Sequence, residues 1–288
     1  MRKQFTKTIQ DILYTDANTA LLLGDIGVYA FKNEITNLYP RVINAGILEQ
    51  SMISVAAGLS LSGIIPFVHT IAPFITERAF EQIKIDFGYH KINGNFLSVG
   101  GTNDYAALGA THHCPGDVGL MLTIPEMEVF IPGSSREVDD LIKRNYNRNN
   151  PKYFRLSEYE NDFELKNGTI IKTGNDAVVF VYGPMLKNVL LATENKNVTV
   201  VYLNTIDNVI GSIIRQNFNK KIIICEPFYK GTTNFIFTEN LIDRYYRIFN
   251  IGYERKFIYN YGNKKQQDDI LGLNINDIKS KIEMCINS

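Results

Sequence analysis

VINAGILEQSMISVAAGLSLSGIIPFVHTIAPFITERAF, residues Val42 to Phe80, changes periodicity several times within one stretch. An apolar strand-like edge at Val42 runs into INAGILEQ. A helix-period segment follows, with Met52, Val55, Ala56 and Leu59 on one face, and Gly58, Ser60, Ser62 and Gly63 bring it to a close. Ile64 to Val68 then reads as a second strand, and Thr76 to Ile83 as a second helix. Strand, helix, strand, helix is the signature of a parallel sheet with helical crossovers. Glu49 is the odd residue, a carboxylate between Ile47, Leu48 and the apolar face of the coming helix. The helix dipole favours an acid in a first turn, which by itself would account for a lone Glu there.

The same alternation extends in both directions. Gln4 to Tyr14 is helical, with Phe5, Ile9, Ile12 and Leu13 on one side. Ala20 to Gly27 is a short buried strand ending at the glycine-flanked Asp25, and strand ends are where open α/β sheets collect function. Phe96 to Gly101 is another strand, followed by a loop, Thr102 to His113, and a helix, Gly116 to Leu122. Ser134 and Ser135 cap a helix over Glu137 to Lys143, and Tyr153 to Ser157 reads as a closing strand. Asn161 to Thr173 is polar and rich in Gly and Asn, a linker by composition. Beyond it come strands at Ala177 to Gly183, Val198 to Leu203 and Lys221 to Glu226, with helices at Met185 to Thr193, Ile210 to Phe218 and Ile275 to Met284. The expected fold class is therefore α/β, with two domains, 1–162 and 163–288, each a mainly parallel sheet covered by helices.

Composition narrows the function. Thirty Lys and Arg balance 30 Asp and Glu among 288 residues, so there is no basic footprint for nucleic acid. No apolar run approaches the ~20 residues needed to cross a bilayer. The charged first helix does not read as a signal peptide, and a cytoplasmic protein is expected. Cys114, Cys225 and Cys285 are odd in number and unclustered, which indicates neither a disulfide framework nor a zinc site.

AGILEQ, followed by a helix, a strand and the turn HTIAPF, resembles the pyrimidine-binding domain of the transketolase family. The resemblance runs in order from about Leu21 to Cys225. It implies that Glu49 is catalytic and binds thiamine diphosphate, its carboxylate hydrogen-bonded to the aminopyrimidine N1′ so that the imino tautomer is stabilised. Phe74 stands at the family's ring-stacking aromatic, and Ile71 where a first aromatic usually sits. Asp25 matches the family's strand-end acid, while Gly24-Asp25-Ile26 with Asn44 is a poor match to the family's Gly-Asp-Gly…Asn metal and diphosphate motif. His69 falls among the substrate-binding positions. The loop Gly109-Ala110-Thr111-His112 is similar to the family's G-x-T-H loop, and His112 is the matched His, implied to bind and polarise substrate oxygen and to move protons.

Two departures bear on the substrate. Ala107-Leu108 replaces an acidic pair, and Leu108 cannot reward a donor hydroxyl with a hydrogen bond. Arg155 fits the closing Y-x-R-L pattern, as suited to a structural as to a substrate-binding role, but Glu158 stands where a second, phosphate-gripping Arg is found and would repel a phosphate. A modified acceptor sugar, a nucleotide-linked one among the candidates, is the resulting expectation. Because no Gly-Asp-Gly occurs in the chain, the resemblance implies the smaller subunit of a split enzyme. An N-terminal diphosphate-binding transketolase subunit would then supply Mg²⁺ and the diphosphate grip in an α2β2 heterotetramer. The expected reaction transfers a two-carbon ketol or acyl unit from a ketose or 2-oxo acid donor to a sugar carbonyl. Two other readings stand beside it: the β subunit of a 2-oxo acid dehydrogenase E1-type component, and an inactive regulatory paralogue.

Overall fold

The computed structural model describes residues 1–288. Twelve strands form two sheets: β1 Thr19–Leu23, β2 Val42–Asn44, β3 Ile65–Ile71, β4 Gly94–Val99, β5 Glu128–Phe130, β6 Pro151–Arg155, β7 Thr169–Lys172, β8 Ala177–Tyr182, β9 Val198–Leu203, β10 Thr205–Ile206, β11 Lys221–Tyr229 and β12 Arg247–Tyr253. The first sheet runs β10-β5-β6-β4-β3-β1-β2 and the second β12-β11-β8-β9-β7. Both are mainly parallel and covered by helices, as the alternating pattern requires. β1, β4, β6 and β8 are buried along their whole length, and β1 and β8 accordingly read as continuous apolar runs rather than alternating ones.

In the first sheet β1 pairs in parallel with both β2 and β3. The chain steps outward to β2, then returns to the other side of β1 and continues through β3 and β4. The strand order therefore reverses beside β1, and the carboxyl ends of β1, β2, β3 and β4 open onto one crevice. That is where open α/β sheets bind ligands.

The two halves share a core. One apolar cluster joins Leu22, Met52, Val68 and Phe96 to Met121, Tyr153, Val178, Phe180, Ile224 and Phe228. β10, which follows β9 directly, crosses over and pairs antiparallel with β5 of the first sheet. The polar segment Asn161 to Thr173 contains β7, paired antiparallel with β9. As a half-exposed edge strand it offers no buried run to read. β12 escapes notice for the same reason, being exposed or half-buried over its first four residues.

Two helices also depart from the periodic reading. Thr76 to Ile83 belongs to a longer wound segment in which π-helical turns, Phe74–Arg78 and Ile83–Tyr89, flank a short α-turn. In the helix Glu49–Leu61, Met52, Ile53, Ala56 and Ala57 face the core, while Val55 is turned outward. With Ile47 and Leu48 it leaves an exposed apolar strip, the three side chains being 51, 68 and 60% accessible.

Candidate active site

Each wall of the crevice is a strand end. After β1, Asp25 takes a left-handed conformation, φ 64°, which Asp tolerates better than most side chains. Its amide donates to Asn44 Oδ1 at 3.0 Å, and Asn44 Nδ2 donates to Asp25 Oδ1 at 3.3 Å. The same Asn44 oxygen accepts from the Gly46 amide at 3.1 Å. The β1 and β2 ends are thereby tied together. Gly46, φ 75°, then turns the chain so that Glu49 begins the next helix with its carboxylate facing inward.

Glu49 is 2% accessible. Oε2 accepts from Arg78 Nη1 at 2.9 Å, whereas Oε1 is buried with no partner. A buried carboxylate oxygen without a donor is costly, and the helix N-terminus offsets only part of that cost. One acceptor of the carboxylate is thus left open.

After β3 the π-helical turn Phe74–Arg78 carries the next wall. Widened turns of this kind often sit at functional sites because they re-aim side chains. Here Phe74 and Arg78 come onto one face, and the guanidinium lies over the Phe74 ring, 4.2 Å from its centroid. Thr76 Oγ1 donates back to the Ala72 carbonyl at 2.8 Å, securing the turn from behind. Beside it, burial pushes the Glu77 carboxyl above its usual range. Cys114 Sγ donates to Glu77 Oε1 at 3.5 Å, and burial raises that thiol well above its ordinary value.

After β4 the chain forms a pinched loop. Thr102 and Cys114 exchange backbone hydrogen bonds, closing residues 103–113 into a projecting segment. Gly100, φ 76°, lies under the Tyr105 ring, where a side chain would collide. The loop presents His112, whose ring meets Phe74 edge-on at 5.3 Å and Tyr105 at 6.4 Å. Thr111 Oγ1 shares a 2.9 Å hydrogen bond with His112 Nδ1 and orients the ring.

The second half of the chain fastens this loop. Tyr253 Oη donates to Asn103 Oδ1 at 2.8 Å, Gln267 Nε2 to the Ala106 carbonyl at 3.4 Å, and the Tyr229 amide to the Pro115 carbonyl at 2.9 Å. Gly109, φ 75°, sits so close to Tyr261 that a Cβ would come within 2.8 Å of its ring.

Glu49, Phe74 and His112 thus come together through Arg78, with Asp25 tied to the Asn44 turn that leads into Glu49. Ile71 ends β3 with its Cγ2 against Gly100, and Leu108 is exposed on the rim of the loop. His69 and Arg155 do not join the cluster. His69 is fully buried beneath the β1 turn, packed on Phe5 with ring centroids 4.4 Å apart, and shares a 2.9 Å hydrogen bond with the Leu97 carbonyl. Burial pushes its pKa down to about 4. Arg155 is buried between the two halves. It donates to Asp117 Oδ2 at 2.8 Å, to the Pro227 carbonyl at 3.0 Å and to Thr102 Oγ1, and it lines an interdomain cavity of about 300 Å³ with Asp104, Tyr253 and Lys264. The residue that sequence reasoning passed over is Arg78. Its four-residue spacing from Phe74 was the available signal, since such pairs share a helical face.

The chain is a mainly parallel α/β protein with a half-satisfied buried acid and an aromatic at the carboxyl edge of its first sheet. Residues 1–161 match the family described as transketolase, pyrimidine binding domain, and the chain belongs to that family. A 33.6 kDa protein in the fasciation locus of Rhodococcoides fascians is 32% identical over 287 residues, 96% of this chain and 92% of that protein. A subunit of the apulose-4-phosphate transketolase of Phocaeicola vulgatus is 32% identical over 200 residues, 63% of this chain and 62% of its own length. The match to that relative therefore covers about three-fifths of it. Among solved structures, a split gene transketolase, an inactive beta4 tetramer, superposes with a TM-score of 0.83 at 22% identity, covering 99% of this chain and 97% of that one.

Proposed function

We propose that this chain is the pyrimidine-binding subunit of a split, thiamine diphosphate-dependent transketolase-type enzyme that works in the cytoplasm. The observation that carries the reading is the buried Glu49 carboxylate, one oxygen without a partner, in one cluster with an aromatic face and a histidine. An aminopyrimidine needs such a set: an acceptor for its ring nitrogen and a flat surface for its π-face. Thiamine diphosphate, when bound, supplies the nucleophilic carbon that breaks and remakes carbon–carbon bonds beside a carbonyl. Glu49 Oε1 would hold N1′ and fix the protonation of the ring, and Phe74 would carry the ring face. His112, steadied by Thr111, would pass a proton to and from the substrate oxygen. Asp25 and Ile71 would border the cofactor and Leu108 the substrate. His69 and Arg155 are buried supports in this reading, one packed beneath the β1 turn and the other bonded to Thr102 at the base of the His112 loop.

The exposed apolar strip Ile47, Leu48 and Val55 lies beside Glu49, and such a patch suits a subunit contact. No group of three or more His, Cys, Asp or Glu is placed to hold a metal. The strip supports a partner subunit; in this reading that partner brings Mg²⁺ and the diphosphate grip in an α2β2 assembly. The relative from Phocaeicola vulgatus, itself one subunit of a transketolase, supports the same division. No helix is long and apolar enough to cross a membrane. The reaction is transfer of a two-carbon unit from a ketose or 2-oxo acid to a sugar-type carbonyl; the apolar Leu108 favours an acceptor modified on that side. The test is purification through a tag on this chain, followed by titration of the recovered complex with thiamine diphosphate and Mg²⁺. Saturable binding by the complex and none by the chain alone is expected. Tight binding by the isolated chain would remove the split-site reading.

A further inference from the structure

Arg78 already engages both Glu49 and Phe74, the two side chains assigned to the pyrimidine, and this inference rests on the functional reading above. Its guanidinium is planar, donates an N–H to Glu49 Oε2 at 2.9 Å, and sits over Phe74 with Cζ 4.2 Å from the ring centroid. A planar N–C–N unit with a hydrogen-bond donor toward Glu49 and a face toward Phe74 is also what an aminopyrimidine presents once N1′ carries a proton, as in its imino tautomer. We infer that Arg78 is a built-in placeholder for the cofactor ring: it pairs the buried acid while the site is empty and must swing away for the ring to enter.

The surroundings suit that exchange. A buried carboxylate left without any counter-charge is strongly unfavourable, so the unassembled chain needs a partner for Glu49. Arg78 supplies one from a side chain that remains 41% accessible, with solvent into which it can withdraw. Glu49 Oε1, the oxygen Arg78 leaves free, gives an incoming donor a first foothold before the ion pair opens. The carboxylate then passes from one donor to the next without being stranded. Guanidinium suits the role better than ammonium because only it combines a flat face with a directed N–H fork.

The arrangement predicts competition. When the competent, Arg78-out state is a minor fraction, apparent affinity is lowered by that fraction. Removing the placeholder therefore tightens cofactor binding, whereas a residue that positions Glu49 for the cofactor would weaken it when lost. The experiment is calorimetric titration of the assembled complex with thiamine diphosphate and Mg²⁺, with stopped-flow association rates, for the wild type, Arg78→Met and Arg78→Lys. Arg78→Met is expected to lower Kd and raise the association rate by about tenfold, with Arg78→Lys between it and the wild type. In parallel, the melting temperature of the cofactor-free chain should fall for Arg78→Met, because Glu49 loses its partner. Unchanged or weaker binding by both variants would overturn the placeholder while leaving the site assignment standing. Absence of saturable binding by the wild-type complex, or no loss of affinity in Glu49→Gln, would instead remove the cofactor site and the placeholder with it.

Discussion

Glu49 and Glu226 are both buried carboxylates placed where parallel strands end, one in each half of the molecule, yet only Glu226 has both oxygens hydrogen-bonded. Glu226 sits where β11 leaves its parallel pairing at Cys225. Its oxygens accept from the Gly231 amide at 2.5 Å, the Thr233 amide at 2.9 Å and Thr233 Oγ1 at 2.7 Å. It is an internal bracket for the turn after the strand. Glu49 has one oxygen paired to a movable side chain and the other unpaired. Burial alone therefore does not mark a functional acid. What separates Glu49 from Glu226 is hydrogen-bonding capacity left unfilled in a buried place.

The largest expected effect separates the two acids by activity. Glu49→Gln should lower turnover of the assembled enzyme by on the order of a thousandfold, with the melting temperature of the chain little changed. Steady-state rates within a few-fold of wild type would end the comparison, since Glu49 would then be as structural as Glu226.

A second test uses pH. Burial lowers the His69 pKa from 6.5 to about 4, so the folded protein resists a proton that the unfolded chain takes up. Stability linked to His69 is therefore present above pH 6.5 and lost as pH falls toward about 4, a loss on the order of 3 kcal/mol. Glu226 works in the opposite sense. Burial raises its pKa from 4.5 to about 7, so the fold keeps a proton that the unfolded chain releases, and stability drops as pH rises through that window. Asp104, raised by burial to about 6, adds to the Glu226 slope. Between pH 4.5 and 6.5 the slopes oppose each other. Denaturant titrations of His69→Gln should steepen the decline with rising pH, and those of Glu226→Gln should flatten it up to about pH 6 and turn it into a rise above that. Parallel curves for all three proteins would show that neither burial is felt energetically.

Next in size, Glu226→Ala should cost about 1–3 kcal/mol, because it leaves the Gly231 and Thr233 donors without an acceptor. Cofactor affinity of the folded complex should be unaffected; a selective loss of affinity would mean that the second half acts on the site through more than support of the His112 loop. The smallest effect calibrates the others. Ser134 Oγ accepts from the Glu137 amide as the N-cap of its helix, far from either acid, and Ser134→Ala should cost about 1 kcal/mol by thermal melt.

Much of this was legible in the chain itself. The alternation of apolar runs and helical stripes gave the two α/β sheets, because parallel strands buried on both faces cannot hide their composition. Glu49, Phe74 and His112 could be named because AGILEQ, HTIAPF and the loop Gly109 to His112 resemble the family's motifs; as bare residue types none of the three pointed to a site. The half-exposed strands β7 and β12 were not legible, nor was the outward turn of Val55, since a period of 3.6 finds a stripe without saying what covers it. Arg78 was not conspicuous either, being one charged residue among 60.

What the sequence determined by itself was the order of elements and the chemical types at their ends, both properties of near neighbours along the chain. Only the tertiary structure decided which oxygen of Glu49 stayed unpaired, that Arg78 filled the face of Phe74, and that Tyr253, Gln267 and Tyr261 of the second half hold the loop bearing His112. Those facts depend on distances between residues far apart in the chain, and a hydrogen bond is made or missed within a few tenths of an ångström.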